Sequence, residues 1–159
     1  MAEPQKPLLF KRSHFATRLP TDCVYSPSHF WAQESEGEVW RVGFTKFATR
    51  MLGDMVDHDF EAKSGTAIKP GQILGWMEGF KAISDVYCFC EGEFVQANPD
   101  LAVNIALINK KPYDQGWLYE ARGKLDDKCM DVHGYAAILN QTIDKMLEQQ
   151  QAEKGNDIE

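Results

Sequence analysis

The residues best placed to do chemistry lie in one short stretch, Trp76-Met-Glu78-Gly79-Phe80-Lys81-Ala82-Ile83-Ser84-Asp85-Val86-Tyr87. Lys81 offers a primary amine, which in its neutral form attacks an activated acyl group to give an amide. A lysine at a loop tip is ordinarily a solubilising charge. This one sits between Phe80 and Ala82-Ile83, and apolar flanks suit presentation to another protein as well as solvation. Glu78 and Asp85 bracket it; they suit positioning of the tip for an incoming enzyme or simple capping of the turn. Gly79 relaxes that turn. Cys88 and Cys90 follow two residues apart, so on one strand they share a face. They read either as small buried hydrophobes or as redox thiols near Lys81. Neighbours on one face are poorly placed to bridge each other. No histidine follows at zinc-finger spacing, so no metal site is expected. No Ser/His/Asp set or phosphate loop stands out, and no catalytic residue is assigned.

The elements that must position Lys81 are strands. Ile73–Met77 and Ile83–Cys90 read as two β-runs joined by the five residues 78–82, which is hairpin length and puts Lys81 at its tip. Upstream, Val39, Arg41 and Gly43 alternate with Trp40, Val42 and Phe44, a half-buried strand. Thr45 then caps a short helix over residues 46–52, with Phe47, Ala48, Met51 and Leu52 at helical spacing and Gly53 ending it. Downstream, Glu91-Gly92 is expected as a turn and residues 94–97 as a strand. Asn98-Pro99-Asp100 opens a helix with Leu101, Ile105 and Ile108 on one face. Pro112 stops it, and residues 117–121 form a last strand. Residues 124–134 read as a loop. Ile138, Leu139, Ile143, Met146 and Leu147 mark an amphipathic C-terminal helix, and residues 148–159 a frayed tail. Short strands at close turn spacing predict a mainly β fold, a flattened barrel or sandwich hybrid with added helices. The division expected is an irregular N-terminal arm at 1–22, a domain at 23–123, and a C-terminal loop, helix and tail at 124–159.

Charge and composition narrow the function. The chain has 159 residues, with 17 Lys+Arg against 24 Asp+Glu. An acidic body argues against nucleic acid, whose binding needs phosphate-neutralising cations. The exception is the arm, with Lys6, Lys11, Arg12 and Arg18 against Glu3. No apolar run approaches a membrane span, and the N-terminus lacks the apolar core of a signal peptide. A cytoplasmic protein with four reduced cysteines is expected.

The stretch Glu78-Gly79-Phe80-Lys81-Ala82-Ile83-Ser84-Asp85-Val86-Tyr87 resembles the lipoyl-lysine segment of the glycine cleavage H-protein family. That family reads Glu-Ser-Val-Lys-Ala-Val-Ser-Asp-Ile-Tyr. The resemblance extends upstream through Tyr25-Ser-Pro-Ser-His29-Phe-Trp31, Val42-Gly43-Phe44-Thr45, Leu52-Gly53-Asp54 and Lys69-Pro70-Gly71. Downstream it takes in Gly92-Glu93, Asn98, Asn109, Pro112-Tyr113 and Gly116-Trp117-Leu118. It implies a lipoyl-domain fold and lipoate in amide linkage to Lys81, with Glu78, Gly79 and Asp85 as tip-recognition residues. The Lys stem plus an eight-carbon acyl chain reaches on the order of 14 Å, at ~1.25 Å per bond, enough to visit separate active sites. Biotin, the rival swinging arm, is disfavoured because its lysine typically lies between methionines. His29 and Trp31 read as packing residues.

Departures from the family pattern bear on the pathway. After Tyr87 the family continues Ala-Pro-Val-Ser-Gly, where this chain has Cys88-Phe89-Cys90-Glu91-Gly92. Met55-Val56-Asp57-His58-Asp59-Phe60-Glu61 replaces Ile-Val-Tyr-Val-Glu-Leu-Pro, and Lys110-Lys111 stand where acids are usual. Residues 43–57, with the stretch from Glu78 to Asp85 and Asp131-Val-His133-Gly-Tyr135, resemble a divergent branch. That branch comprises the lipoate-binding proteins associated with a heterodisulfide-reductase-like complex in sulfur oxidation. The expectation is therefore a non-enzymatic lipoyl carrier in cytoplasmic sulfur oxidation, served by a lipoylating enzyme, that complex and a lipoamide-dehydrogenase-type reoxidant. The alternatives are an aminomethyl carrier among the glycine cleavage enzymes, and an unlipoylated partner-binding scaffold.

Overall fold

A computed structural model of the chain describes residues 6–157. The strands in order are β1 (Leu8–Arg12), β2 (Phe15–Leu19), β3 (Val24–Tyr25), β4 (Phe30–Glu34) and β5 (Val39–Phe44). After helix α1 (Lys46–Leu52) come β6 (Met55–Phe60), β7 (Ala67–Ile68), β8 (Ile73–Gly79), β9 (Ile83–Tyr87) and β10 (Cys90–Ala97). A 3₁₀ turn (Pro99–Ala102), α2 (Leu107–Lys110), β11 (Tyr119–Leu125) and α3 (Val132–Asp157) complete the chain.

Two antiparallel sheets form the body. One has six strands in the order β3-β4-β5-β11-β10-β7, the other three in the order β6-β8-β9. They share one core. Val42 and Phe44 come from β5, Phe94 from β10 and Tyr119 from β11; Leu74 and Met77 come from β8 and Val86 from β9. Each buried side chain of this size stabilises the fold by roughly 1.5–3 kcal/mol, so the sheets stay face to face. The architecture is the mainly β, lipoyl-domain-like sandwich expected, with helices attached. Among the described residues no helix is long and apolar enough to cross a membrane.

A second core lies outside the sandwich. β1 and β2 pair as a hairpin in which Leu8 faces Leu19 and Arg12 faces Phe15. Phe10, Phe15 and Leu19 bury against Trp31, Phe47 and the inner stripe of α3, namely Val132, Tyr135, Leu139 and Ile143. Phe15 meets Phe47 edge-on at 5.5 Å between ring centroids, and Tyr25 stacks on Tyr135 at 4.6 Å. Arg12 forms an ion pair with Asp144, tying the hairpin to the helix.

Several local expectations need correction. Residues 8–19 are a hairpin, not irregular arm; Pro7 and Pro20 lie just outside its strands, where a missing N–H costs no ladder bond. Residues 1–5 lie outside the described residues. Glu91-Gly92 is not a turn but part of β10, where Gly92 pairs with Gly123 of β11 and Ile68 of β7. The helix expected after Asn98 is broken into the 3₁₀ turn and α2. The broken path still buries Leu101 and Ile108. The loop assigned to residues 124–134 is shorter, since Lys124-Leu125 belong to β11 and α3 starts at Val132. Finally, α3 runs on to Asp157, so most of the expected tail is helical.

Candidate functional site

Lys81 projects from the β8–β9 hairpin, whose register pairs Glu78 with Ile83 and Met77 with Ser84. The turn closes by a Gly79 N–H···O Ala82 hydrogen bond of 2.9 Å. Beneath it lies the corner where α1 hands over to β6. Phe80 N donates to Asp54 O at 2.9 Å and Lys81 N to Leu52 O at 2.8 Å. The tip backbone is therefore bonded to a second element, while the Lys81 side chain stays exposed.

The corner is itself well determined. Thr45 caps α1, its hydroxyl accepting from Ala48 N at 3.3 Å. Gly53 ends the helix at φ +79°, with its N–H bonded to Thr49 O. Asn109 of α2 then clamps both sides of the corner: Met55 N donates to its Oδ1 at 2.9 Å, and its Nδ2 donates to Gly53 O at 3.0 Å. Two glycines allow the close approach. A Cβ on Gly79 would stand 2.2 Å from Leu52 O, and one on Gly53 would stand 3.0 Å from Lys81 Cγ. Gly79 thus does more than relax the turn, because it lets the hairpin lie directly on the end of α1.

Buried polar contacts carry this geometry back to α3. Tyr135 Oη lies 2.8 Å from Thr45 Oγ1 and 2.9 Å from His29 Nδ1, so the cap residue of α1 is bonded to the C-terminal helix. Burial lowers the His29 pKa to about 4, which leaves a neutral imidazole at neutral pH. Trp31 donates from Nε1 to Pro112 O at 2.9 Å. Both residues pack and hydrogen-bond, as expected.

The surroundings of Lys81 are polarised. On one side a groove of about 570 Å³ is lined by Lys46, Arg50 and Lys110 together with Lys81, with Asp54 as its single carboxylate and Phe80 at its edge. The Lys81 ammonium hydrogen-bonds to Arg50 O at 3.5 Å. On the other side the outer face of the three-stranded sheet carries Asp57 beside Glu78, and Asp59 and Asp85 on either side of Trp76. Glu78 and Asp85 thus lie on one face, but neither caps the turn, which closes through backbone groups alone. Asp57 opposite Glu78 is a like-charge cross-strand pair, which costs stability.

Cys88 and Cys90 do not join the site. Phe89 lies between them where the chain leaves β9 and enters β10, so the premise of one shared strand face fails. Cys88 lies roughly 17 Å along the chain from Ile83, at ~3.3 Å per residue. Both side chains are fully buried. Cys88 Sγ donates to Cys90 O at 3.0 Å. Burial pushes the two thiols up to about 11 and about 12 respectively. Buried thiols raised in this way, at the far end of the hairpin, stay protonated at neutral pH. Among the described residues no group of His, Cys, Asp and Glu is arranged to hold a metal ion.

The close approach of Gly53 to Lys81 and the clamp by Asn109 are not legible in the sequence, which marks Gly53 only as the end of α1. Both occur among the residues carrying the family resemblance, but contact between residues 53 and 109 has no local signal. Comparison with known proteins gives a consistent picture. The glycine cleavage H-protein family model matches residues 23–150. A glycine cleavage system H protein of Corynebacterium jeikeium is 40% identical over 124 residues, covering 76% of this chain and 97% of that protein. The H protein of Bordetella pertussis is also 40% identical, over 123 residues, with the same coverage of 76% and 97%. Among solved structures, a glycine cleavage system H protein from Mycobacterium marinum superposes with a TM-score of 0.67 at 27% identity, covering 75% of this chain and 97% of that one. These relatives are named for glycine cleavage, so the expected order of pathways reverses and sulfur oxidation has no support from them.

Proposed function

Because the chain belongs to the glycine cleavage H-protein family, we propose that Lys81 is its lipoyl attachment point and that it serves the glycine cleavage enzymes as an aminomethyl carrier in the cytoplasm. Proteins of this family carry lipoate covalently on a lysine. The observation that supports Lys81 is its setting: an exposed amine, without a carboxylate partner among the described residues, on a backbone held at two consecutive N–H groups by the α1–β6 corner. An amine so placed is open to acylation, and its carbonyl and stem gain a fixed base. When bound, lipoate supplies a dithiol/disulfide couple that loads and releases groups by thiol exchange.

The chain's own part is presentation. Gly79 and Gly53 let the hairpin settle on α1, Asn109 locks the corner, and Phe80 and Ile83 leave an apolar surface beside the amine. The reacting groups on the other side belong to the partner enzymes, and the protein acts as their carrier substrate. Residues 23–123 hold the tip and both sheets except the last two residues of β11, Lys124-Leu125, and form the lipoyl domain of this proposal. The glycine–CO2 exchange assay with a decarboxylase and lipoylated protein tests the pathway. Exchange that is present in the wild type and absent in Lys81→Ala is the expected result. A lipoylated wild type that supports no exchange overturns the glycine cleavage assignment.

A further inference from the structure

The groove beside Lys81 has a composition that the rest of the chain does not explain. The protein carries a formal charge of −7, yet Lys46, Arg50, Lys81 and Lys110 converge on one depression with Asp54 as the only carboxylate in its lining. Among the described residues none of these four cations is in an ion pair, although the Arg50 guanidinium lies over the Phe15 ring at 5.7 Å, whereas Arg12, Arg41 and Arg122 are each paired. The groove is also built rather than incidental. Lys46 and Arg50 are one turn apart on α1, and Lys110 ends α2. Asn109, the neighbour of Lys110, is the residue that bonds the α1–β6 corner. At its edge stands Phe80, 80% exposed, with Ile83 at 67% just beyond the turn. An exposed aromatic beside unpaired cations is the make-up of an interface anchor with a steering rim.

We propose that this groove is the docking surface for the enzyme that acylates Lys81, and that this enzyme presents a carboxylate-lined rim with an apolar socket for Phe80. The proposal rests on Lys81 being the attachment point. The acylating enzyme is singled out because it alone must bring its reacting centre to the lysine Nζ itself. Its surface must therefore press on what surrounds that atom: the Arg50 carbonyl at 3.5 Å and the groove lined by Phe80 and the cationic side chains. Enzymes that act at the far end of the arm need not. Like-charge contact in such an interface weakens binding, and opposite charge speeds encounter in a salt-dependent way.

The test compares initial lipoylation rates by intact mass, using a lipoate ligase with ATP and free lipoate, at low and high ionic strength. The wild type, the double variant Lys46→Glu/Lys110→Glu, Phe80→Ala and the remote control Lys124→Glu are compared. Lys46→Glu places an acid in the first turn of α1, where the helix dipole tolerates it. The double variant is expected to lose about tenfold or more in kcat/KM at low salt and most of its salt dependence, yet to reach full lipoylation with excess ligase. Phe80→Ala is expected to lose rate at both salt concentrations, and Lys124→Glu to match the wild type. A double variant lipoylated at the wild-type rate overturns the docking surface while leaving Lys81 as the attachment point. So does equal slowing in Lys124→Glu, which would trace the effect to net charge. A wild type that excess ligase leaves unmodified overturns the attachment point, and the docking surface with it.

Discussion

The Lys81 tip and the β1–β2/α3 extension are held by opposite means. At the tip the fixed parts are backbone: two N–H groups on the α1 corner, a turn closed by main chain, and two glycines at close approach. Side chains there are left out in solvent. In the extension β1 and β2 pair through their main chain, but what joins that hairpin to α3 is side chains, with Phe10, Phe15, Tyr135 and Leu139 interlocked. The difference follows from what each must do. A carrier lysine needs an anchored base and a free side chain, and only main-chain bonding gives both. A buttress needs only buried area. The two regions meet at Thr45, the α1 cap bonded to Tyr135, so the packing of one braces the hydrogen bonds of the other.

This contrast can be broken from either side. Truncating Phe15 to Ala empties the second core, and by the usual cost of such a deletion stability should fall by about 3–5 kcal/mol. In denaturant titrations at neutral pH the remaining folded protein should still accept lipoate at Lys81. Gly79→Ala attacks the tip instead. Its methyl group would fall on Leu52 O, and the expected loss of about 1–3 kcal/mol comes with a lipoylation rate lower than that of Phe15→Ala. Equal rates in the two variants would erase the distinction between the regions. Tyr135→Phe removes the hydroxyl joining them, leaving Thr45 and His29 short of a partner. A cost of about 1–2 kcal/mol is expected, read as a shift in denaturation midpoint.

The pH dependence sharpens the same junction. Unfolded, His29 takes a proton near 6.5; folded, burial holds that off until about 4. The unfolded chain therefore binds more protons within that window, and stability falls as pH drops from about 6.5 toward 4. His29→Asn, which tolerates the positive φ of 73° at that position, should flatten the decline. The smallest effect belongs to Arg12→Ala, which removes an ion pair with two part-exposed members and should cost no more than about 1 kcal/mol.

How much of this was legible in the sequence depended on how local the cause was. Thr45, the residues 46–52 and Gly53 announce helix α1 through cap, spacing and stop, and its bounds are as expected. The β8–β9 hairpin and its lysine were equally plain. Cys88 and Cys90 are buried, as one of their two readings has it, but they do not share a strand face, because the end of a strand is invisible when the chain crosses from one sheet to another without a glycine or proline. The hairpin at residues 8–19 was hidden for a different reason. Its short strands find their partner surface in Tyr135, Leu139 and Ile143, more than a hundred residues away. Asn109 lay within the recognised family pattern, but its bonds to Gly53 and Met55 belong to tertiary structure alone.

The central claim is that Lys81 alone among the 17 basic residues is the acylated one. Peptide mapping by mass spectrometry after treatment with lipoate, ATP and a lipoate ligase tests it most directly. The lipoyl adduct is predicted on the peptide containing Lys81 and nowhere else, with no adduct on the Lys81→Ala protein. An adduct on Lys46 or Lys110, or an unmodified Lys81 under conditions that lipoylate another H protein, would contradict the account.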